Sequence, residues 1–285
     1  MKTFSKSPAE KLKRRISCDL CGSDHASVLW SFDGWSVEKC KKCGLVYQNP
    51  QPDLSELRLR YDNEYFDYEI CNEDAFFDLM TLGLSDVGFE DIEKECFGRS
   101  DANGPLFVDV GCATGKLLKH ADSRGWRTMG VEICGAAADF GRKRRGLDIF
   151  TGTIEDACID DSTVDLIHSS HFIEHLCRPS AYLKEAERIL KPGGYMVTVT
   201  PNIDGFQAKL FGSSWRSAIA DHMYLFSIKS LTAMMEKQNL KPVKIATWGG
   251  LAAGTAPAPV KKAADRLVKV FGWGDVVSIL SVKQI

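Results

Sequence analysis

The stretch "LFVDVGCATGKLL", residues 106–118, combines a short apolar strand, a glycine-rich turn and the beginning of a helix. Gly111 and Gly115 stand between the strand and the helix, where a glycine turn lets a nucleotide-like ligand approach the backbone closely. In open α/β sheets such ligands bind beyond the carboxyl ends of the strands. The stretch therefore predicts a ligand site at the end of a strand in a parallel sheet.

Strand and helix patterns alternate after this turn. The predicted strands are "RTMGVEI", "LDIFTGTI", "VDLIHSS" and "YMVTVTPN", and the helices between them are "GAAADFGRKRRG" and "SAYLKEAERILKPGG". Such alternation is typical of a parallel sheet that is covered by helices on both faces. After a helix in "SIKSLTAMMEKQN", two closing strands, joined through a helix near 260–271, are expected to pair antiparallel at the sheet's edge. The sequence thus predicts a doubly wound α/β fold.

Composition and charge narrow the class of protein. Of the 285 residues, 44% are hydrophobic and 26% are charged, as in ordinary soluble globular proteins. No apolar run approaches the ~20 residues that span a bilayer, and the N-terminus lacks the apolar core of a signal peptide. We therefore expect a cytoplasmic protein without a membrane partner. The net charge of −2 offers no global attraction to nucleic acid.

Two Cys-x-x-Cys pairs near the N-terminus form a metal-site pattern. Cys18, Cys21, Cys40 and Cys43 match the spacing of structural zinc sites, and a glycine follows each pair. Four unrelated thiols or a redox pair are the alternatives, but the duplicated spacing and the duplicated glycine favour zinc. Four thiolates leave no open coordination position, so we expect the metal to hold structure rather than to catalyse.

Between this pattern and the α/β part lies a segment with helical periodicity and many aromatic residues. It ends in the linker "GRSDANGP". The sequence thus predicts a zinc-ribbon module in residues 1–52, a helical connector in 53–103 and the α/β domain in 104–285. Tyr61 and Tyr65 of the connector are candidates to line an acceptor pocket as part of a lid.

The class of ligand follows from the residues around the glycine turn. Glu132 stands 21 residues after Gly111, at the end of the second strand, where a carboxylate suits ribose hydroxyls. A dinucleotide fingerprint would need a second glycine where this chain has Ala113. Asp109 is an unusual polar residue for a buried strand. Together these residues favour an adenosine-type ligand.

The motifs "VDVGCATGKLL", "GVEI", "VDLIHSSHFIEHL" and "LKPGGYMVTVTPN" resemble the class I S-adenosylmethionine-dependent methyltransferases over residues 104–285. Upstream, "CDLCGS", "KCKKCGLVYQNPQPD" and "YDNEYF" resemble the subgroup with an N-terminal zinc ribbon, which includes sugar C-methyltransferases. The resemblance implies a Rossmann-like seven-stranded sheet, S-adenosylmethionine as cofactor, structural zinc and a small-molecule acceptor such as a nucleotide-linked sugar.

The resemblance also implies a set of cofactor-binding residues, which are Asp109, Gly111, Cys112, Gly115, Glu132, Ile154, Glu155 and Ser170. The glycine turn would surround the methionine part and Glu132 would hold the ribose. Ile154 and Glu155 would lie near the adenine, and Ser170 would border the amino-acid end.

Methyl transfer to a hydroxyl or a carbon acid needs a base, and histidine titrates nearest to neutrality. The candidates are His171, His175 and His222. The resemblance implies His222 as the base with Asp221 assisting, although the sugar C-methyltransferases carry Tyr-x-Glu-His where this chain has Ile219 and Asp221. "HFIEH", residues 171–175, also matches inverted zinc proteases, but it directly follows a strand and precedes Pro179, which favours the methyltransferase turn.

Two other functions remain open from the sequence. Some zinc-ribbon methyltransferases act on RNA, and Lys39, Lys41 and Lys42 decorate the second cysteine pair. A non-catalytic scaffold that binds the adenosyl cofactor, or a protein partner through the ribbon, is the other alternative. RNA binding would depend on salt, whereas a scaffold would bind the cofactor without transferring a methyl group.

Overall fold

The computed structural model of the chain describes residues 14–53, 60–61, 63–250, 268–269 and 271–285. Its N-terminal part is an antiparallel β-meander of three strands, β1 (Ala26–Phe32), β2 (Trp35–Cys40) and β3 (Val46–Asn49). A short strand from far along the chain, β9 (Tyr224–Leu225), pairs with β3 and completes a four-stranded sheet. The small sheet is therefore built from two distant parts of the sequence.

Two helices follow the meander, α1 (Asn63–Val87) and α2 (Phe89–Arg99). Gly88 separates them with a φ of 87°, a left-handed conformation that glycine adopts without steric cost. These helices occupy the segment in which the sequence predicts a helical connector.

The large sheet has seven strands among the described residues. These are β4 (Leu106–Val110), β5 (Arg127–Glu132), β6 (Ile149–Thr151), β7 (Val164–Ser170), β8 (Leu190–Pro201), β10 (Leu240–Trp248) and β11 (Val276–Lys283). Their spatial order is β10-β11-β8-β7-β4-β5-β6. Strands β4 to β8 pair in parallel, and β11 runs antiparallel to both of its neighbours.

The helices of this part are α3 (Lys116–Ser123), α4 (Gly135–Arg145), α5 (Pro179–Ile189), α6 (Phe206–Phe211) and α7 (Ile228–Glu236). They cover the sheet on both faces, so the central strands are apolar in both directions. In β4, for example, Phe107 packs in the cluster with α1, α2 and α3, whereas Val108 packs in the cluster with α5 and α7. The predicted doubly wound α/β fold with a seven-stranded sheet is confirmed.

The cysteine-containing module shares the second of these cores. Leu45 and Tyr47 are buried in the same apolar cluster as Tyr182 of α5. Asp19 accepts hydrogen bonds from the backbone N–H and the hydroxyl of Ser180, both at 2.8 Å, at the beginning of α5. A carboxylate is favourable at a helix N-terminus, where backbone N–H groups are unpaired. The module is therefore packed against the large sheet's helices through both apolar and polar contacts.

One predicted helix falls largely outside the described residues. Of the helix expected near 260–271, residues 268–269 and 271 are helical and the rest lies outside the described residues. Among the residues that the structure describes, no helix is both long enough and apolar enough to cross a membrane.

Candidate functional site

The glycine turn after β4 has the tight geometry that its sequence predicts. Gly111 has a φ of 75°, and a Cβ there would lie 2.8 Å from Cδ2 of Phe172. A larger residue would be strained and would also collide with this ring. Gly115, with a φ of 77°, begins α3. The turn is thereby held close against the end of β7, which leads to Phe172.

Glu132 lies at the end of β5, beside this turn. It is 2% exposed, and its carboxylate accepts the backbone N–H groups of Ala113 at 2.9 Å and Cys134 at 2.7 Å. Burial raises the pKa of Glu132, while the backbone hydrogen bonds oppose that shift. The residue predicted to hold a ribose is thus fixed in position by the turn itself.

The other residues predicted to bind a cofactor lie around the same strand ends. Cys112 and Ile154 are buried, Ser170 is half-buried at the end of β7, and Glu155 is exposed. Asp109 is 2% exposed and hydrogen-bonds through Oδ1 to Nδ1 of His168, 2.8 Å away on the neighbouring strand. One oxygen of the Asp109 carboxylate is therefore hydrogen-bonded inside the sheet.

Helix α1, with Arg60 and Tyr61 before it, lies beside the glycine turn. Tyr61 and Tyr65 are half-buried with ring centroids 5.1 Å apart. Burial together with the charge of Glu132 raises the pKa of both phenols. Glu73 of α1 pairs with Arg145 of α4 at 2.7 Å and accepts a hydrogen bond from Thr114 in the glycine turn. The connector is thus joined by polar contacts to the turn that it covers.

Glu69 of the same helix makes the stability of the fold depend on pH. Burial, followed by the charge of Glu132, raises the pKa of Glu69 from 4.5 to about 7. The folded state therefore holds this proton more tightly than the unfolded state. Its contribution to stability is complete below about pH 4.5 and is lost as the pH rises through about 7.

We therefore expect the free energy of unfolding of the wild type to fall between pH 5 and pH 8, relative to that of Glu69→Gln, by on the order of 1–2 kcal/mol. Urea unfolding at the two pH values measures this difference. Asp67→Asn, an exposed carboxylate on the same helix, is the matched control and should show no such difference from the wild type. Equal pH dependence in Glu69→Gln and the wild type would contradict the argument.

A second group of polar residues follows β7, in the stretch "HFIEH". A short 3-10 helix, Ile173–His175, places Glu174 inward and leaves His171 partly exposed. Glu174 is 1% exposed; its Oε1 lies 3.2 Å from Nδ1 of His171, and its Oε2 accepts the hydroxyl of Thr200 at 2.9 Å. Burial opposes ionisation, but the hydrogen bond with His171 and the neighbouring imidazoles lower the pKa of Glu174 to about 2.

His175 and His222 meet edge to face, with ring centroids 4.7 Å apart. Nδ1 of His175 lies 2.9 Å from the carbonyl oxygen of Asp221, and Nδ1 of His222 lies 2.9 Å from that of Ser217. Since a carbonyl oxygen only accepts, each Nδ1 carries a proton, so in a neutral ring the lone pair is on Nε2. Burial lowers the pKa of His222 to about 4, so its ring is neutral at pH 7.

Asp221 does not orient His222 in the way that the sequence suggested. The Asp221 carboxylate is half-exposed and pairs with Arg60, the residue before Tyr61. The ring of His222 is oriented instead by the Ser217 carbonyl, while the carbonyl of Asp221 holds His175. Every residue has a backbone carbonyl, so the sequence does not show which of them a side chain contacts. Arg60 and Asp221 are 161 positions apart, so their contact could not be predicted from local patterns either.

The four cysteines of the N-terminal pattern lie together. Sγ of Cys18 is 3.4 Å from that of Cys43, and Sγ of Cys21 is 3.5 Å from that of Cys40. Burial raises the pKa of Cys18 and Cys43, whereas backbone hydrogen bonds outweigh burial at Cys40 and lower its pKa to about 7. A tetrahedral Zn–S bond of about 2.3 Å places sulfurs roughly 3.8 Å apart, so these thiols fit a zinc ion.

Solved structures with a similar fold are methyltransferases. An S-adenosylmethionine-dependent methyltransferase from Archaeoglobus fulgidus matches 76% of this chain and 99% of its own, with a TM-score of 0.55 and 19% identity. Another, from Thermotoga maritima, matches 77% of this chain and 98% of its own, with a TM-score of 0.53 and 21% identity. At these identities the likeness establishes the fold.

Sequence relatives point in the same direction. A ubiquinone biosynthesis O-methyltransferase from Cereibacter sphaeroides is 30% identical over 124 residues, which is 39% of this chain and 48% of the relative. A malonyl-[acyl-carrier protein] O-methyltransferase from Yersinia pestis is 28% identical over 98 residues, which is 34% of this chain and 37% of the relative. The chain thus spans less than half the length of either relative.

The family itself is shown by a match to the model of one domain family. Residues 90–245, more than half of the chain, match the family described as a methyltransferase domain. The matched range contains the glycine turn, Glu132 and the histidine pair described above. This chain therefore belongs to the methyltransferase domain family.

Proposed function

We propose that the protein is an S-adenosylmethionine-dependent methyltransferase that acts on a small molecule. One observation carries the proposal. The connector contacts both parts of the site: Arg60 pairs with Asp221, next to His222, and Glu73 accepts a hydrogen bond from Thr114 in the glycine turn. The predicted cofactor residues and the histidine pair therefore both lie beside the connector.

The residues at the strand ends suit the cofactor. Glu132 would hold the ribose, and the left-handed turn at Gly111 would let the backbone approach the methionine part. When bound, S-adenosylmethionine supplies an electrophilic methyl group. We further propose Cys112, Gly115, Ile154, Glu155 and Ser170 as the other residues that border it, with Asp109 supporting the turn through its contact with His168.

His222 is the proton acceptor in this proposal. Its Nε2 carries a free lone pair, while Nδ1–H is fixed on the Ser217 carbonyl, which would also stabilise the imidazolium that forms. His175 lies against it and limits its rotation. The Asp221 carboxylate pairs with Arg60 and so holds the connector against the loop that carries His222. His171 would keep Glu174 in place through their 3.2 Å contact.

For the acceptor we propose a nucleotide-linked sugar or a related metabolite. The support is the histidine in "DHMYLFS" together with the cysteine pattern, and Ile219 marks a difference from the sugar C-methyltransferases that this stretch resembles. We propose structural zinc on Cys18, Cys21, Cys40 and Cys43. We also propose that residues 1–52, 53–103 and 104–285 serve as zinc module, cover and methyltransferase domain.

The proposal is tested first by cofactor binding. We expect Glu132→Gln to weaken the affinity for S-adenosylmethionine roughly ten- to a hundredfold, because a charged acceptor is lost from a buried position. Isothermal titration calorimetry measures the affinity. Glu90→Gln, the same change at an exposed position on α2, should bind like the wild type.

Transfer is then measured with the methyl-labelled cofactor and a set of nucleotide sugars and pathway metabolites. Mass spectrometry of the native protein for a retained acceptor narrows that set. Tight cofactor binding without transfer to any metabolite would favour a scaffold over an enzyme. Labelling of RNA that declines with added salt would favour the nucleic-acid alternative.

A further inference from the structure

Glu174, His175 and His222 form a cluster that is distinct from the four cysteines. Each residue offers one ligand atom, and the three atoms lie within 4.8 Å of one another. Glu174 and His222 are buried, and His175 is half-buried. We propose that this cluster binds a divalent transition-metal ion. The inference does not depend on methyl transfer, since it concerns the binding of the ion alone.

The hydrogen bonds around the two histidines support this site. In metal sites, a ligating imidazole almost always donates its other N–H to a backbone carbonyl or a carboxylate, which fixes the tautomer and the ring. Both rings here show that arrangement, with Nδ1–H on the Asp221 and Ser217 carbonyls at 2.9 Å. The two neighbouring imidazoles are therefore each fixed through Nδ1, which leaves Nε2 as the nitrogen that would bind an ion.

Glu174 supplies the negative charge that such a site needs. Its carboxylate is oriented by the Thr200 hydroxyl at 2.9 Å, and its other oxygen is 3.2 Å from the partly exposed His171. Because Thr200 holds Oε2, Oε1 is the oxygen available to an ion, which would replace its contact with His171. A buried carboxylate with one oxygen hydrogen-bonded has the support that ligating carboxylates receive in known sites.

The donor set indicates the class of metal. Two imidazoles and one carboxylate suit zinc, iron, cobalt or nickel rather than calcium or magnesium, which prefer oxygen ligands. Metal–ligand bonds of about 2.1 Å put two ligands of a tetrahedral ion roughly 3.4 Å apart. The three ligand atoms lie within 4.8 Å of one another, so side-chain movements of up to about an ångström bring them to one ion. Three protein ligands also leave a position open, unlike the closed set of four cysteines.

The ion and the proton acceptor use the same lone pair of His222. With an ion bound, Nε2 of His222 would be a ligand, and the ion would lower the pKa of an acceptor hydroxyl in the open position, whose proton would pass to water. The site would then take an acceptor with a hydroxyl or enol oxygen. Binding of the ion is measured separately from transfer, so a failure of this inference leaves the proposed methyltransferase intact.

The test is a titration of the full-length, zinc-loaded protein with Co²⁺. We expect one Co²⁺ to bind per chain with visible d–d bands, without thiolate-to-cobalt charge-transfer bands and without release of zinc. His222→Ala and His175→Ala should each weaken the Co²⁺ affinity by about 100-fold or more, since even loss of a supporting residue costs 10–100-fold. His120→Ala, a histidine on α3 away from the cluster, is the matched control.

Two results would overturn the proposal. One is Co²⁺ that appears only with charge-transfer bands and released zinc, which places it on the cysteines. The other is equal Co²⁺ affinity in the wild type and in both histidine variants. Glu174→Gln, which keeps the size of the side chain, covers the case in which an alanine variant does not fold. It should retain cofactor affinity and lose the added Co²⁺.

Discussion

His222→Ala is expected to slow methyl transfer by roughly 100-fold or more while cofactor affinity stays nearly unchanged. Nδ1 of the ring is held by the Ser217 carbonyl, so Nε2 carries the lone pair to which a proton can move. Burial lowers the pKa of His222 to about 4, so the ring is unprotonated at pH 7. Single-turnover measurements with saturating cofactor give the rate of the chemical step.

Controls for this variant separate chemistry from folding. Removal of a buried ring leaves a cavity, so thermal unfolding and cofactor calorimetry are measured alongside the rate. His120→Ala should transfer at the wild-type rate. Assays with and without added divalent ion should both show the loss, since the ring serves as acceptor in one state and as ligand in the other. A wild-type rate in His222→Ala would exclude the assignment.

The double variant Cys18→Ser, Cys21→Ser is expected to lose zinc and to lose most of its methyl transfer, while cofactor affinity falls much less. Structural zinc contributes about 10–16 kcal/mol of apparent binding energy in small modules, so the ribbon should lose its order without the ion. Strand β3 of the ribbon pairs with β9, and the N–H of Gln48 donates to the carbonyl of Met223, next to His222. Loss of order in the ribbon is therefore expected to displace the segment that carries His222.

Metal analysis, cofactor calorimetry and the transfer rate are compared in this variant. Cys71→Ser, Cys158→Ser changes two exposed thiols and should leave all three values unchanged. If transfer persisted without zinc, the ribbon would not position His222. If cofactor affinity and transfer fell together to the same extent, the zinc site would support the whole domain rather than one loop.

The fold could be predicted because the patterns that specify its strands, helices and glycine turn each lie within a short stretch of sequence. In β4, Phe107 and Val108 face opposite clusters, and a strand that is buried on both faces reads as a continuous apolar run. The turn at Gly111 demands a left-handed φ that glycine adopts without cost. These requirements act within a few residues, so strands, helices and the glycine turn follow from the order of the residues.

Contacts between distant parts of the chain could not be predicted in this way. The sequence suggested Asp221 as the partner of His222, but the ring is fixed by the Ser217 carbonyl and Asp221 pairs with Arg60. Likewise, β9 joins the ribbon sheet across more than 170 residues. No pattern encodes these pairings, because each depends on which surfaces meet once both cores are packed.

The sequence by itself determined the class of fold, the glycine turn with Glu132 beside it, and the four-cysteine pattern, because each depends on spacing along the chain. Only the tertiary structure decided that the ribbon, the connector and the histidine pair lie together. Their proximity results from the burial of Tyr47 and Tyr182 in one shared core and from the pairing of Arg60 with Asp221, next to His222. Such burial arises only when the whole chain has folded.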